Sequence, residues 1–339
     1  MDSDFQLEDD IAQALMDLPP EFQRFGREYQ NEIRPMLRAR EGERIKASQN
    51  AKYGYIGGGA LAVIGGAVSL FLLQFPQLAA GAVIAGIAIG AIGSSGMRKL
   101  SGEAKDLLVK PIAQSFELDF TPKPGSVGSI GEHRRLGMVP SYDRSKFEDH
   151  LYGSHKGVAF EFFEANLKQR RTTTSNGRTR TKYVTVFDGQ CLRFDFHKRF
   201  FGETLVRRDA GWFNAFGGRS GMDRARLEDP EFEKAFEVYT TDQVEARFLL
   251  APDMMQSLVD LERTFRGDKL RCAFSGEEMF IAVEGGNLFE PGTMFKPLDN
   301  PERVRELLMD FAAVFNLIEK VSARRKAEEA DRGAPEASA

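Results

Sequence analysis

Hydrophobic positions fall into three regimes along the chain: helical spacing, an unbroken apolar block, and strand-like alternation. From Glu21 the apolar residues Phe22, Phe25, Tyr29, Ile33 and Met36 recur at helical spacing among charges, which predicts an amphipathic helix over 21–52. Pro35 should kink or end that helix before a second helical stretch leads on. Then the charges stop. No charged residue stands between Lys52 and Arg98, an interval of 45 residues. A bilayer core about 30 Å thick takes about 20 helical residues, so the interval is too long for one span and fits two. Tyr53–Leu73 and Leu78–Met97 supply them, and Pro76 disfavours helix at Phe75 between them. The pattern predicts a tight transmembrane hairpin over 53–97 that enters and leaves on one side.

After the hairpin, Lys105–Ser115 has helical spacing and Thr121–Gly131 reads as a Pro/Gly/Ser linker, so 98–139 is assigned as helix and linker. From 140 to 323 the pattern is mostly β. Val158–Leu167 is rich in strand formers, and Tyr183–Phe187, Asp188-Gly189, Cys191–Phe196 has the form of a hairpin with an Asp-Gly turn. Further strands are expected at Glu203–Arg207, Phe236–Tyr239, Leu270–Phe274 and Met279–Val283, with a helix at Pro252–Phe265. The last helix opens with Asn300 as cap and Pro301 in its first turn. Val304, Leu307, Leu308, Phe311, Val314, Phe315, Ile318 and Val321 then form one apolar stripe, fit to cover a sheet. Residues 324–339 are charged, then small and polar, and are expected to be a disordered tail. The fold class is α+β: a two-helix transmembrane hairpin, then a cytoplasmic antiparallel-sheet domain with a long C-terminal helix. The order of strands before that helix suits a small barrel or a sheet capped by the helix.

Charge gives the hairpin a direction. Arg38, Arg40, Arg44, Lys46 and Lys52 precede the first span, Arg98, Lys99, Lys105 and Lys110 follow the second, and the turn has no base. The positive-inside rule then places both termini in the cytoplasm. Residues 1–20 carry six acids and no base, an acidic leader expected to be disordered. A cleaved signal peptide does not fit an apolar block that starts after fifty mostly polar residues. The net charge of -4 argues against a chain built to wrap nucleic acid, and two cysteines exclude a disulfide scaffold.

The spans hold 11 of the 33 glycines. Gly58, Ala62 and Gly66 repeat at intervals of four on the first, and Ala82, Gly86, Gly90 and Ser94 on the second. Small residues at that spacing let helix backbones approach closely. The grooves either pair the two helices of the hairpin or form a glycine zipper between copies, a homo-oligomer that would affect membrane permeability. Without ionisable residues the spans cannot line an ion pathway by themselves.

Leu227–Pro252, with Leu-Glu-Asp-Pro-Glu-Phe-Glu-Lys-Ala-Phe at its start, resembles the hallmark segment of a bacterial membrane family known as domain of unknown function 3137. Phe187–Leu205 and Leu288-Phe289-Glu290-Pro291 are similar to its other signatures, and the resemblance spans about residues 100 to 320. It implies a bacterial inner-membrane protein and brings no catalytic residue. Gln190-Cys191 stands where relatives tend to have Gly-Leu.

Chemical candidates are few. His150 and His155 are five apart, which misses the i, i+4 spacing of a helical zinc motif, and His133 and His197 stand alone. Cys191 and Cys272 lie on two expected strands that could meet. Glu228-Asp229-Pro230-Glu231-Phe232-Glu233 reads as a helix start capped by Asp229 rather than a catalytic carboxylate pair. No catalytic residue, cofactor or metal is therefore assigned. The most informative polar stretch is Lys168–Lys182, with six bases, no acid and no apolar side chain. Lys168, Arg170, Arg171, Arg178, Arg180 and Lys182 are expected on a mobile hairpin tip. The nearest counter-charge for a tethered domain is anionic lipid headgroup; nucleic acid is disfavoured because the stretch has no aromatic platform. The expected function is a non-catalytic binding or scaffolding module with the lipid bilayer and an unidentified membrane protein as partners. A membrane-tethered enzyme with an unrecognised site is the alternative.

Overall fold

The computed structural model describes residues 25, 28–72, 74–175, 178–196, 199–208, 221–286, 288 and 293–333. The acidic leader, His197 and the last residues of the tail lie outside them. The chain divides into two compact units, Met1–Ile112 with Glu290–Leu308, and Ala113–Phe289 with Met309–Ala339.

The first unit is helical. A π-helical turn at Tyr29–Ile33 runs into α1 (Arg34–Ala60), and two more π-helical turns carry the helix to Leu72. Pro35 does not end the helix as expected. It occupies the first turn of α1, where the missing N–H costs nothing, and the wider turn before it absorbs the ring. The chain reverses at Gln74 (φ 56°) and Phe75, whose N–H donates to Ser69 O at 2.9 Å. Helix α2 (Pro76–Gly93) starts on Pro76, and α3 (Ser95–Ser115) continues it. Tyr29–Leu72 and Pro76–Ser115 are both long and apolar enough to cross a membrane. Only 17% and 22% of their most apolar windows is buried, so Phe71, Leu72, Ile87 and Ile92 stand exposed.

The second unit is a nine-stranded sheet. Its elements are β1 (Asp119–Thr121), α4 (Ile130–Arg135), β2 (Arg144–His155), β3 (Val158–Ser175), β4 (Arg178–Asp195), β5 (Thr204–Arg208), β6 (Asp223–Ala225), α5 (Pro230–Ala235), β7 (Phe236–Thr240), α6 (Gln243–Leu249), α7 (Pro252–Thr264), β8 (Gly267–Ser275) and β9 (Glu278–Gly285). Helix α8 (Pro301–Gly333) follows. The strand order is β1-β2-β3-β4-β9-β8-β5-β7-β6, antiparallel throughout and open, with edges at β1 and β6. Both faces are covered, which is why consecutive residues Phe162 and Phe163 are both fully buried. Phe163 packs with Leu136, Met138, Phe147, Cys191 and Phe280 on one face. On the other, Phe162 meets Phe265 at the end of α7, and Phe160 meets Phe315 of α8.

Three expectations change. Asp188-Gly189 is not a turn but the middle of β4, paired to Asn166 and Ala165. Two-sided burial overrides the turn dipeptide, and glycine is needed because a Cβ at 189 would collide with Val283 O and come within 2.9 Å of Glu284 Cα. Strand β2 had no strand signal, since its buried positions Phe147, Asp149 and Leu151 have a carboxylate in the middle, at a bulge where Asp149 takes φ 54°. The 121–131 linker instead contains the end of β1 and the start of α4. Helix α8 has the expected cap, Glu302 N–H donating to Asn300 Oδ1 at 2.9 Å, and the whole predicted stripe is buried. It runs on to Gly333, beyond the expected start of the tail.

Gly189→Val should lower stability by about 1–3 kcal/mol through forced strand separation. Gly125→Ala, where a Cβ meets open space, should not. Chemical denaturation of the two variants checks this.

Candidate functional site

The six bases expected on a mobile tip lie instead on regular strands. Beyond a bulge at Leu167/Lys168, β3 and β4 pair only with each other out to Ser175↔Arg178. β2 reaches β3 only as far as Lys168, and β9 meets β4 only from Gly189 to Asp195. The result is a two-stranded arm extending from the sheet. Its faces differ. Thr172 and Thr181 Oγ1 atoms are 3.3 Å apart, as are those of Thr174 and Thr179, so one face is a threonine ladder. Arg171, Arg180 and Lys182 alternate onto the other face, with Arg171 directly opposite Lys182. Lys168 and Arg170 share the threonine side near the base, and Arg178 begins β4.

An isolated ribbon with no apolar side chain is marginal in water. Its base is fastened by the Arg144 guanidinium 3.6 Å over the Tyr183 ring and by Arg170 N–H donating to Asp143 Oδ2 at 2.6 Å. Like charges directly opposite on one face cost stability, and Arg171 stands opposite Lys182.

The helix seam brings Gly54, Gly58 and Gly65 of the first helix against Gly93, Gly86 and Ala82 of the second. A Cβ on Gly58 would collide with Gly86 O, and one on Gly86 with Gly58 O and, at 3.0 Å, the Ala62 methyl. Gly54 and Gly93, outside the predicted set, are closer than any side chain allows: a Cβ on Gly54 would lie 2.9 Å from Gly93 Cα. Gly65 rather than Gly66 meets Ala82, at 3.1 Å, whereas a Cβ on Gly66 finds open space. The π-helical turn at Leu61–Gly65 shifts the facing register by one residue. Gly90 sits more loosely, its nearest neighbour being Tyr55 Cδ1 at 3.5 Å.

The chemical candidates are drawn into packing. His133 is fully buried between Ser129 O and Leu192 O, 3.0 Å from each, and burial pushes its pKa down. His155 stacks on Phe315 and, with Lys156, bonds Glu319 of α8. Cys191 and Cys272 do not meet: they pair with Ala282 and Ile281, neighbours on β9, and so face opposite sides of the sheet. Burial raises both thiol pKa values. Asp229 caps α5 as expected, accepting from Glu231 and Phe232 N–H. Among the described residues no group of three or more His, Cys, Asp or Glu is placed to hold a metal.

One cleft gathers polar groups that sequence reasoning did not join. About 560 Å³ in volume, it is lined by His150, Glu161, Arg193, Glu278 and Tyr152 among others. His150 Nε2 is 2.8 Å from Glu161 Oε1, and Arg193 pairs with Glu278. Burial pushes the Glu161 carboxyl up, but the bond and charge of His150, with Arg193 nearby, outweigh it and hold the pKa low. The signal was strand register, invisible while β2 was unrecognised.

Residues 185–322, from within β4 to the end of the apolar stripe of α8, match a family model described as a protein of unknown function. That family is DUF3137. The match begins later than the resemblance suggested and leaves the hairpin outside it. No curated protein matches the chain. Among solved structures, the mycobacterial trehalose monomycolate transport factor A is similar at 9% identity and a TM-score of 0.33, over 62% of this chain and 94% of that one. A likeness of that size carries no argument about this chain.

Gly58→Leu or Gly86→Leu should lower the melting temperature of the detergent-solubilised protein, and Gly59→Leu, whose Cβ meets nothing, should not. Glu161 gives a pH prediction. Its folded pKa lies below an unfolded value of about 4.3, so its stabilisation is present above that pH and lost as pH falls through the folded value. Glu161→Gln should flatten the acid limb of a stability–pH curve.

Proposed function

We propose that the protein is an integral protein of a bacterial inner membrane, its sheet domain a non-catalytic binding or scaffolding module on the cytoplasmic side. One observation carries this reading: a closely packed pair of long helices whose large apolar side chains are left uncovered. The core helix of a water-soluble protein would be mostly buried, and lipid is the solvent that accepts such a surface. The basic residues flanking the pair and the base-free turn support cytoplasmic placement of both termini.

The arm gives the module a surface. A domain tethered beside an anionic leaflet meets headgroups first, and each base near the surface contributes about 1 kcal/mol. The segregation of Arg171, Arg180 and Lys182 on one face supports flat contact with such a surface, with Lys168, Arg170 and Arg178 nearby. Contact of this kind is screened within about 8 Å at physiological salt, so it is salt-sensitive and indifferent to headgroup stereochemistry.

The test uses the full chain in phosphatidylcholine nanodiscs, offered anionic phosphatidylglycerol vesicles at low salt. Wild type should capture vesicles, and the variant with Arg170, Arg171, Arg178 and Arg180 changed to Ser should lose most capture while melting at a similar temperature. Equal capture by both would remove the arm from the account.

A further inference from the structure

Strand register builds the floor of the His150–Glu161 cleft. Tyr152, Glu161 and Arg193 lie side by side across β2, β3 and β4, and Ala159, Asp195 and Glu278 form the next row across β3, β4 and β9. Directly paired residues share a face of the sheet, as do residues two apart on one strand, so these side chains project together. Ala159 brings only a methyl group to the middle of the set. Gly128 and Ser129, with Glu132 of α4, line the other side.

The lining carries three carboxylates, Glu132, Glu161 and Glu278, and one guanidinium, Arg193. Arg193 is spent on Glu278 and lies 3.6 Å from Asp195, and Glu132 pairs with Arg135. Glu161 is different. Its side chain is 13% exposed, and its ionic partner is an imidazole, His150 Nε2 at 2.8 Å. It stays ionised despite its burial, so with His150 neutral the cleft holds a carboxylate that no cation balances. A charge in such a place is costly until a counter-ion reaches it.

Two neighbours point to what that counter-ion is. Ser129, buried, sits beside Glu161 and helps to hold its pKa low, yet its Oγ finds no hydrogen-bond partner of normal geometry among the described residues. Tyr152, partly exposed, sets its ring 4.8 Å from that of His150. A hydroxyl oxygen accepts an N–H, and an aromatic face attracts an organic cation. A metal ion would need a tighter group of acids than the described residues supply.

We propose that the cleft binds a small organic cation, an alkylammonium whose N–H groups go to Glu161 and Ser129 and whose chain lies over Ala159 beside Tyr152. Every residue of this site belongs to the sheet domain, so it is independent of where the helix pair resides.

The experiment titrates the full chain in phosphatidylcholine nanodiscs with putrescine, a short alkyl diamine, against potassium chloride at matched ionic strength, and reads the melting temperature. Putrescine should raise it saturably above the potassium reference. Glu161→Gln keeps the shape, removes the charge and should weaken the apparent affinity about tenfold or more. Ala159→Leu keeps every charge, fills the floor at a partly buried position and should weaken it as well. Glu302→Gln, at the exposed start of α8, should respond as wild type does. If Glu161→Gln does not fold, Ala159→Leu carries the test. A wild-type response no larger than that to potassium overturns the proposal, as does an undiminished response from either folded cleft variant.

Discussion

The structure depends on how closely two glycine-rich helices can approach. At Gly54 and Gly93 the backbones leave no room for a Cβ, and Gly58 against Gly86 repeats the constraint further along. Helix faces this small bring carbonyls and Cα atoms into direct contact, so dispersion acts over the whole seam. The large residues are then turned outward: Val63, Ile64, Phe71, Ile84, Ile87 and Ile92 stand on the surface. A helix pair that packs glycine inside and isoleucine outside inverts the order of a water-soluble bundle. That inversion motivates the membrane reading, and with it the meaning given to every cation nearby.

The sheet domain obeys the opposite rule. Its central strands are apolar on both faces, one packed with α4 and the Met138–Val139 segment, the other with α7 and α8. Two of its buried acids are tied down, while the Gln190 side chain, fully buried, has neither Nε2 nor Oε1 partnered. Glu245, fully buried, accepts from the Phe201 and Gly202 N–H groups, and Glu262 takes Arg208 and the Leu270 N–H. The arm carries Arg171, Arg180 and Lys182 together on one exposed face.

Much of this was legible in the chain. The uncharged interval, the Pro76 boundary, the Asn300 cap and the stripe from Val304 to Val321 depend on local chemistry, and local chemistry decided them. What escaped depended on distant partners. Asp188-Gly189 has the form of a turn, and only the approach of β9 shows why glycine stands in mid-strand. Strands β3 and β4 stay paired well beyond that dipeptide, out to Ser175↔Arg178. Strand β2 was passed over because the middle of its three buried positions is the acid Asp149. The His150–Glu161 cleft is assembled from segments spread between Gly128 and Glu278, beyond any spacing rule. Gly54 was missed because the repeat on the first span was read only from Gly58, and Gly93 because it falls out of phase with the Ala82–Ser94 repeat.

The central claim is that the helix pair crosses a membrane with both ends on the cytoplasmic side. Cys191 and Cys272 are buried, which leaves a low background for thiol labelling of the folded chain. Single cysteines replacing Asn50, Gln77 and Lys123 can be treated with a membrane-impermeant maleimide, with any outer membrane first opened and the inner membrane intact. The account predicts that only the cysteine at 77 reacts, and that those at 50 and 123 react once the inner membrane is permeabilised. Reaction at 123 before permeabilisation, or protection at 77, would contradict it.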